Sequence, residues 1–318
     1  KKGILFKEAG FLESMAKCDM LVLDKTGTLT KGKPEVVEVL YLKPFDASVL
    51  YALVSASTHP ISQGVAHYIR QKEIPLHVNV FESVKNVEAK GMLALYEGQR
   101  LVGGNAKMMK EESIAISIPS SFEALSHYFF AIDGEVVALF GLKDALKVDA
   151  KQSIQRLHAM GIKMMILSGD HSAITQEIAK EVGIKDFKAE LMPHEKADMI
   201  QELRTQGYRV VMAGDGINDT LALSRSEIAI AMGSGADVAI DISDVVLTKE
   251  NLEGLAEAFE VSRKTLRIVK ENLFFSLFYN VLTVPLAMSG YIIPLFAALS
   301  MSLSSLVVVG NAMRIKGK

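Results

Sequence analysis

The chain carries one cysteine among 318 residues, no basic excess (net charge −2), and no Asp, Glu, Lys or Arg from Asn272 to Met313. The single Cys18 excludes an intrachain disulfide and a cysteine zinc cluster. Beside Met15 and Met20 it reads as a small core residue. Without surplus cations to neutralise a phosphate backbone, nucleic acid is not expected as a partner. The charge-free stretch is interrupted near its middle by Gly290-Tyr291-Ile292-Ile293-Pro294. Each half is about 20 residues, enough to span a bilayer core, and a buried soluble helix of that length would show a polar face. Arg263, Lys264, Arg267 and Lys270 precede it, and Arg314, Lys316 and Lys318 follow. Those cations place both ends on the cytoplasmic side. A transmembrane hairpin is expected, with helices over 272–291 and 294–313, against the alternative of an apolar hairpin inside a soluble domain. The chain begins at Lys1 rather than Met, with no signal peptide before the first strand, so a fragment is expected.

The apolar run Met20-Leu21-Val22-Leu23 leads into Asp24-Lys25-Thr26-Gly27-Thr28-Leu29-Thr30. A carboxylate at the end of a buried strand, followed by a glycine turn and hydroxyls, suits a phosphate-accepting nucleophile. Two positions on, Thr26 cannot act as a general acid or base. A phosphatase on this plan needs a second carboxylate there to activate water, so an aspartyl-phosphate is expected to persist.

Residues 1–19 read as an amphipathic helix and 20–33 as a strand and the Asp24 loop. From Pro34 to Leu139, strands (35–42, 93–96, 100–102, 127–132, 135–140) mix with helices over 46–56 and 61–72. Asp133-Gly134 marks a two-residue hairpin. This predicts an antiparallel sheet with helices, inserted into a first domain. Beyond Gly141, apolar runs 162–167, 208–213, 228–232 and 244–247 alternate with helical segments near 144–160, 172–182, 194–206 and 251–270. That pattern predicts a parallel sheet covered on both faces. Ser168-Gly169-Asp170, Gly214-Asp215-Gly216 and Gly233-Ser234-Gly235 all fall where strands end, the edge at which such sheets bind ligands.

Asp24 attacking a nucleotide γ-phosphate brings two anions together, so cations are required. Lys196, after Pro193, is placed to screen them. Thr28 and Ser168 offer hydroxyls, and backbone N–H groups of Lys25 to Thr28 add to them. Asp215, with the Asp24 carboxylate and a backbone carbonyl (Thr26), suits Mg²⁺, a hard ion that takes oxygen ligands. Asn218 and Asp219 can order the metal shell.

Asp24–Thr30 and Gly214–Asp219 together resemble the signature loops of P-type cation-transporting ATPases. Thr58-His59-Pro60 resembles the adenine-site His-Pro of the heavy-metal subgroup, and Gly104-Asn105 its second nucleotide motif. The resemblance covers essentially the whole chain but only the C-terminal portion of such a pump. It implies an α/β, haloacid-dehalogenase-like Rossmannoid phosphorylation domain (20–33 and 140–262). An α+β, antiparallel-sheet nucleotide-binding domain (34–139) is inserted in it, and a transmembrane hairpin (263–318) follows a linker helix (1–19). ATP and Mg²⁺ are the implied cofactors, and the bilayer and the pump's missing actuator domain and other membrane helices the partners. The implied location is a bacterial inner membrane, with the soluble domains cytoplasmic. Val84-Lys85-Asn86 departs from the family's Gly-x-Gly, Val54 from an acidic residue, Thr58 from Glu, and Thr220-Leu221 from Ala-Pro.

Tyr279-Asn280 in the first apolar half, and Met301 and Ser305 in the second, resemble the copper(I)-exporting subgroup. Met301 and Ser305 share a helix face, a thioether suits Cu(I), and polar groups at bilayer depth mark a pathway, although serines also pack membrane helices together. The expectation is ATP-driven copper(I) export through an aspartyl-phosphate, with this fragment binding ATP but not transporting alone. The alternatives are a soluble haloacid-dehalogenase-like phosphohydrolase, a non-catalytic ATP-sensing module, and a P-type pump for another soft or transition metal.

Overall fold

The computed structural model describes residues 3–72, 80–87, 90–216, 219–233, 237–249, 251–289 and 294–316. Its elements begin with β1 (Ile4–Phe6), α1 (Ala9–Lys17), β2 (Met20–Asp24) and β3 (Glu35–Tyr41). Then come α2 (Ala47–Ser55), α3 (Pro60–Gln71), β4 (Ser83–Val87), β5 (Gly91–Tyr96), β6 (Gln99–Gly104) and α4 (Ala106–Glu111). The hairpin β7 (Ser126–Ile132) and β8 (Glu135–Lys143) is followed by α5 (Ala150–Ala159), β9 (Lys163–Leu167), α6 (Ser172–Val182) and β10 (Asp186–Lys188). Next are α7 (Pro193–Thr205), β11 (Val210–Gly214), α8 (Thr220–Arg225), β12 (Ile228–Met232), α9 (Asp237–Ile242) and β13 (Val245–Leu247). Two long helices close the chain, α10 (Glu253–Met288) and α11 (Pro294–Met313).

A seven-stranded sheet has the order β1-β13-β12-β11-β2-β9-β10. The pairs β9–β10, β11–β12 and β12–β13 are parallel. Every residue of β2, β11 and β12 is buried, as continuous apolar strands covered on both faces require. The stretch expected as one helix over 1–19 instead opens with β1, which runs antiparallel to β13. Ile4 and Phe6 are good strand formers, and the helix starts only at Ala9.

The chain divides into two compact units, Lys1–Val22 with Gln152–Met164 and Ala197–Lys318, and Leu23–Lys151 with Met165–Lys196. Within the second, a six-stranded sheet of order β3-β8-β7-β6-β5-β4 is antiparallel throughout. On one face α2 and α3 pack Leu50, Leu53, Val65 and Ile69 against Tyr128, Phe130 and Phe140. On the other, Met108 and Met109 of α4 meet Phe129 and Leu139. Each fully buried side chain of this size contributes about 1.5–3 kcal/mol. Asp46 caps α2 by accepting from the Ser48 N–H at 2.8 Å, which fixes where that helix begins.

Within the first unit, α10 runs unbroken for 36 residues through Pro285. It is one helix where segments 251–270 and 272–291 are expected from the sequence. No glycine or proline lies between Leu255 and Asn272, so the apolar half continues a helix begun in polar sequence. Among the described residues, no helix is long and apolar enough to cross a membrane. Leu273, Phe274, Leu277 and Val281 on α10, and Met301, Leu303 and Leu306 on α11, are exposed large apolar side chains. The two helices are tied by polar bonds. Tyr279 Oη lies 2.9 Å from Ser300 Oγ, and the Asn311 amide donates to Glu271 and Asn272 at 3.2 and 2.9 Å. The turn at 290–293 lies outside the described residues.

Candidate phosphoryl-transfer site

The β2 strand delivers Asp24 to its end, 5% exposed. The chain then turns sharply: Thr26 stays extended and Gly27 takes φ 71°, a conformation that favours glycine. The loop is held from beyond β8. Lys147 Nζ donates to the Gly27 carbonyl at 2.6 Å. Asp144 accepts from Thr30 Oγ1 at 2.6 Å and from the Gly32 and Lys33 N–H groups at 3.2 Å each. Asp144 and Lys147 were missed in the sequence because 144–160 read as helix, whereas the helix starts at Ala150. An Asp and a Lys three apart just after an apolar strand were the available signal.

Lys196, near the start of α7, places Nζ 2.5 Å from Asp24 Oδ1, with both side chains 7% exposed. Lys25 is buried and ion-paired with Asp170. At the end of β9, Ser168 Oγ accepts the Asp170 N–H at 3.1 Å. The Ser168 N–H and carbonyl bond to Lys188 and Leu191, and the Asp170 carbonyl accepts from Glu190, which fastens the Ser168-Gly169-Asp170 turn from both sides. Thr28 is fully buried, and its hydroxyl has no hydrogen-bond partner among the described residues. Leaving such a group unpaired costs about 1–3 kcal/mol. An oxyanion brought to Asp24's loop would satisfy it, so the residues present fit a phosphoryl group.

In the other unit, Asp215 follows β11 and Asp219 precedes α8, with carboxylate oxygens within 4.8 Å of each other. Asp219 is 2% exposed, and Oδ2 lies 3.0 Å from where a Cβ on Gly214 would stand. A side chain at 214 would crowd the acid out. This all-oxygen donor pair fits a hard divalent cation such as Mg²⁺. Asn218 lies outside the described residues, as do Ser234 and Gly235.

His59 and Pro60 form the N-cap and first residue of α3. His59 Nδ1 accepts the Ile61 N–H at 3.2 Å, which leaves Nε2 as the protonated nitrogen. Burial lowers the imidazole's pKa below 6.5, opposed by the Asp170 carboxylate. Gly104 ends β6 against the Lys90 carbonyl, 2.3 Å from the position a Cβ would take. Asn105 caps α4 by accepting the Met108 N–H at 3.1 Å. On the long helices, Ser305 Oγ donates to the Met301 carbonyl at 3.1 Å. Asn280 and Met301 are exposed, and Tyr279 meets α11 at Ser300, one residue before Met301.

A family model described as haloacid dehalogenase-like hydrolase matches residues 18–226, and a second of the same description matches 196–259. The chain belongs to the haloacid dehalogenase-like hydrolases. Within this hydrolase family, it is similar to the copper-exporting P-type ATPase of Staphylococcus epidermidis, 37% identical over 99% of this chain and 40% of the relative. It is also similar to that of Vibrio cholerae, at 36% identity over 99% and 36%. The chain thus spans about two fifths of the length of these curated relatives. Among solved structures, a zinc-transporting PIB-type ATPase in the E2.Pi state aligns with TM-score 0.75 and 29% identity, over 99% of this chain and 52% of that one. The catalytic domain of the CPx-ATPase CopB-B aligns at 0.66 and 25%, over 81% and 95%.

Proposed function

We propose that this hydrolase-family chain is the phosphorylation and nucleotide-binding portion, with the last two membrane helices, of a copper(I)-exporting P-type ATPase. The observation that carries the reading is Asp24 paired with Lys196 at 2.5 Å, in a loop whose Thr28 hydroxyl has no partner among the described residues, with Thr26 where a phosphatase would need an acid. Asp24 attacks the γ-phosphorus of ATP. An Asp24 oxygen–phosphorus bond forms, the bond to the β–γ bridging oxygen breaks, and ADP leaves. Lys196 and the Thr28 hydroxyl stabilise charge on the transferring oxygens. Asp24, Thr26, Asp215 and Asp219 would hold Mg²⁺, which supplies charge neutralisation at the phosphoryl group. Asn218 orders that shell, while Ser168, Gly169, Asp170 and Lys25 shape the pocket wall. His59, Pro60, Gly104 and Asn105 mark the nucleotide side of residues 34–139, and residues 20–33 with 140–262 form the phosphorylation domain.

The apolar halves of α10 and α11 are proposed to cross a bacterial inner membrane. Their support is the absence of any formally charged side chain from Asn272 to Met313 and the apolar residues both helices expose. Tyr279, Asn280, Met301 and Ser305 are proposed to contribute to a Cu⁺ path that the rest of the pump completes, together with its actuator domain. ATP hydrolysis by the complete pump in vesicles tests the reading. Stimulation by Cu⁺ and not Zn²⁺, lost in Met301→Leu, is expected. Stimulation by Zn²⁺ alone overturns the copper assignment, and rapid hydrolysis of small phosphomonoesters by this chain overturns the pump.

A further inference from the structure

At the C-terminal end of α3 the six-stranded domain opens into a recess of about 440 Å³, a size that ligand sites commonly have. Tyr41, Phe45, Tyr68 and Phe140 line it, together with Lys43 and Lys72 and, among the described residues, no carboxylate. The rings do not cover one another. Tyr41 and Tyr68 stand edge-on to Phe140 at 87° and 71°, with centroids 6.3 and 6.1 Å away. Tyr41 remains 57% exposed, aromatic surface whose burial a ligand would gain.

Among the described residues, both lysines make weak surface contacts. The Lys72 ammonium lies 5.1 Å over the Tyr68 ring, and Lys43 pairs with the exposed Glu135. Exposed contacts of this kind are worth about 1 kcal/mol or less, so an incoming anion can compete for either cation. His59 begins α3 and the recess lies at its far end. A 12-residue helix is roughly 18 Å long, which separates the recess from the His-Pro residues.

We propose that this recess binds a planar aromatic anion, with its ring system seated among Tyr41, Phe45 and Tyr68 and its negative group taken by Lys43 and Lys72. The recess lies within one domain and needs neither phosphorylation nor the membrane helices.

The full chain, kept saturated with ATP, is titrated with 8-anilino-1-naphthalenesulfonate and with its uncharged analogue N-phenyl-1-naphthylamine. The sulfonate is expected to bind saturably at one site per chain and about tenfold more tightly than the analogue. Tyr68→Leu is expected to weaken it about tenfold, and Lys43→Gln with Lys72→Gln severalfold, in keeping with one lost aromatic contact and two lost surface charges. The lysine pair is solvent-facing, so that variant keeps the fold if Tyr68→Leu does not. Binding unchanged in the lysine variant, equal binding of the neutral analogue, or binding seen only when ATP is left out would each overturn the proposal. The first outcome assigns the dye to exposed apolar faces such as those of α10 and α11, and the last assigns it to the nucleotide site.

Discussion

Removing the Lys196 ammonium leaves Asp24 as a buried carboxylate without its cation. At 2.5 Å and an effective dielectric of about 20, the gross attraction is roughly 7 kcal/mol, and desolvation of several kcal/mol per ion offsets most of it. The pair is therefore worth little net, yet breaking it from one side costs about 3–5 kcal/mol. Lys196→Met should lower the unfolding midpoint accordingly, and Asp24→Asn with Lys196→Met, which removes both charges, should recover at least half of the loss. Midpoints are read by circular dichroism during urea unfolding of the detergent-solubilised chain. A Lys196→Met midpoint equal to wild type, or a double variant less stable than Lys196→Met alone, would refute the reasoning.

Thr28→Val should leave stability unchanged or raise it, because the hydroxyl has no partner among the described residues to lose. In the complete protein, on the proposed function, it should slow phosphorylation by about 100-fold, the scale of one oxyanion donor, with Thr28→Ser restoring the rate. The His59 imidazole should titrate below 6.5 by NMR, and Asp170→Asn should lower it further, since Asp170 is what holds it up. The Nδ1 cap on α3, worth about 0.5–2 kcal/mol, is present above the ordinary histidine range. It is lost as pH falls through the depressed midpoint, so stability should drop in acid and His59→Ala should flatten that part of the profile. The Cys18 thiol is pushed up to about 12 by burial, with Glu227 and Asp19 adding. Its reaction with a disulfide reagent at pH 8 should run about 1000-fold slower in the folded than the unfolded chain.

The strands of both sheets were legible where apolar runs are bounded by glycine or aspartate: β12 and α6 fall within the expected ranges, and β2 leads directly into Asp24. Other elements were not, among them β4, β10, α4, α8 and α9, and three cases show why. β1 is three residues long, too short for a period, and is made a strand by pairing with β13. The restraint of the Asp24 loop by Asp144 and Lys147 spans more than a hundred residues of sequence, so no local pattern announces it. Asn105 was read for chemistry, and its side chain caps α4; a cap and a ligand contact use the same amide oxygen and look alike in sequence. Lys196 illustrates the converse. Alone it is an ordinary helix lysine, and only the meeting of α7 with the end of β2 gives it a carboxylate partner.

The central claim is covalent: the γ-phosphoryl group of ATP passes to the Asp24 carboxylate. The most direct measurement is to label the complete protein briefly with γ-labelled ATP, quench in acid, digest, and locate the modified peptide by mass spectrometry. The account predicts an acid-stable, hydroxylamine-sensitive phosphate on Asp24, absent in Asp24→Asn. Label on any other residue, or undiminished labelling of the Asn variant, would contradict it.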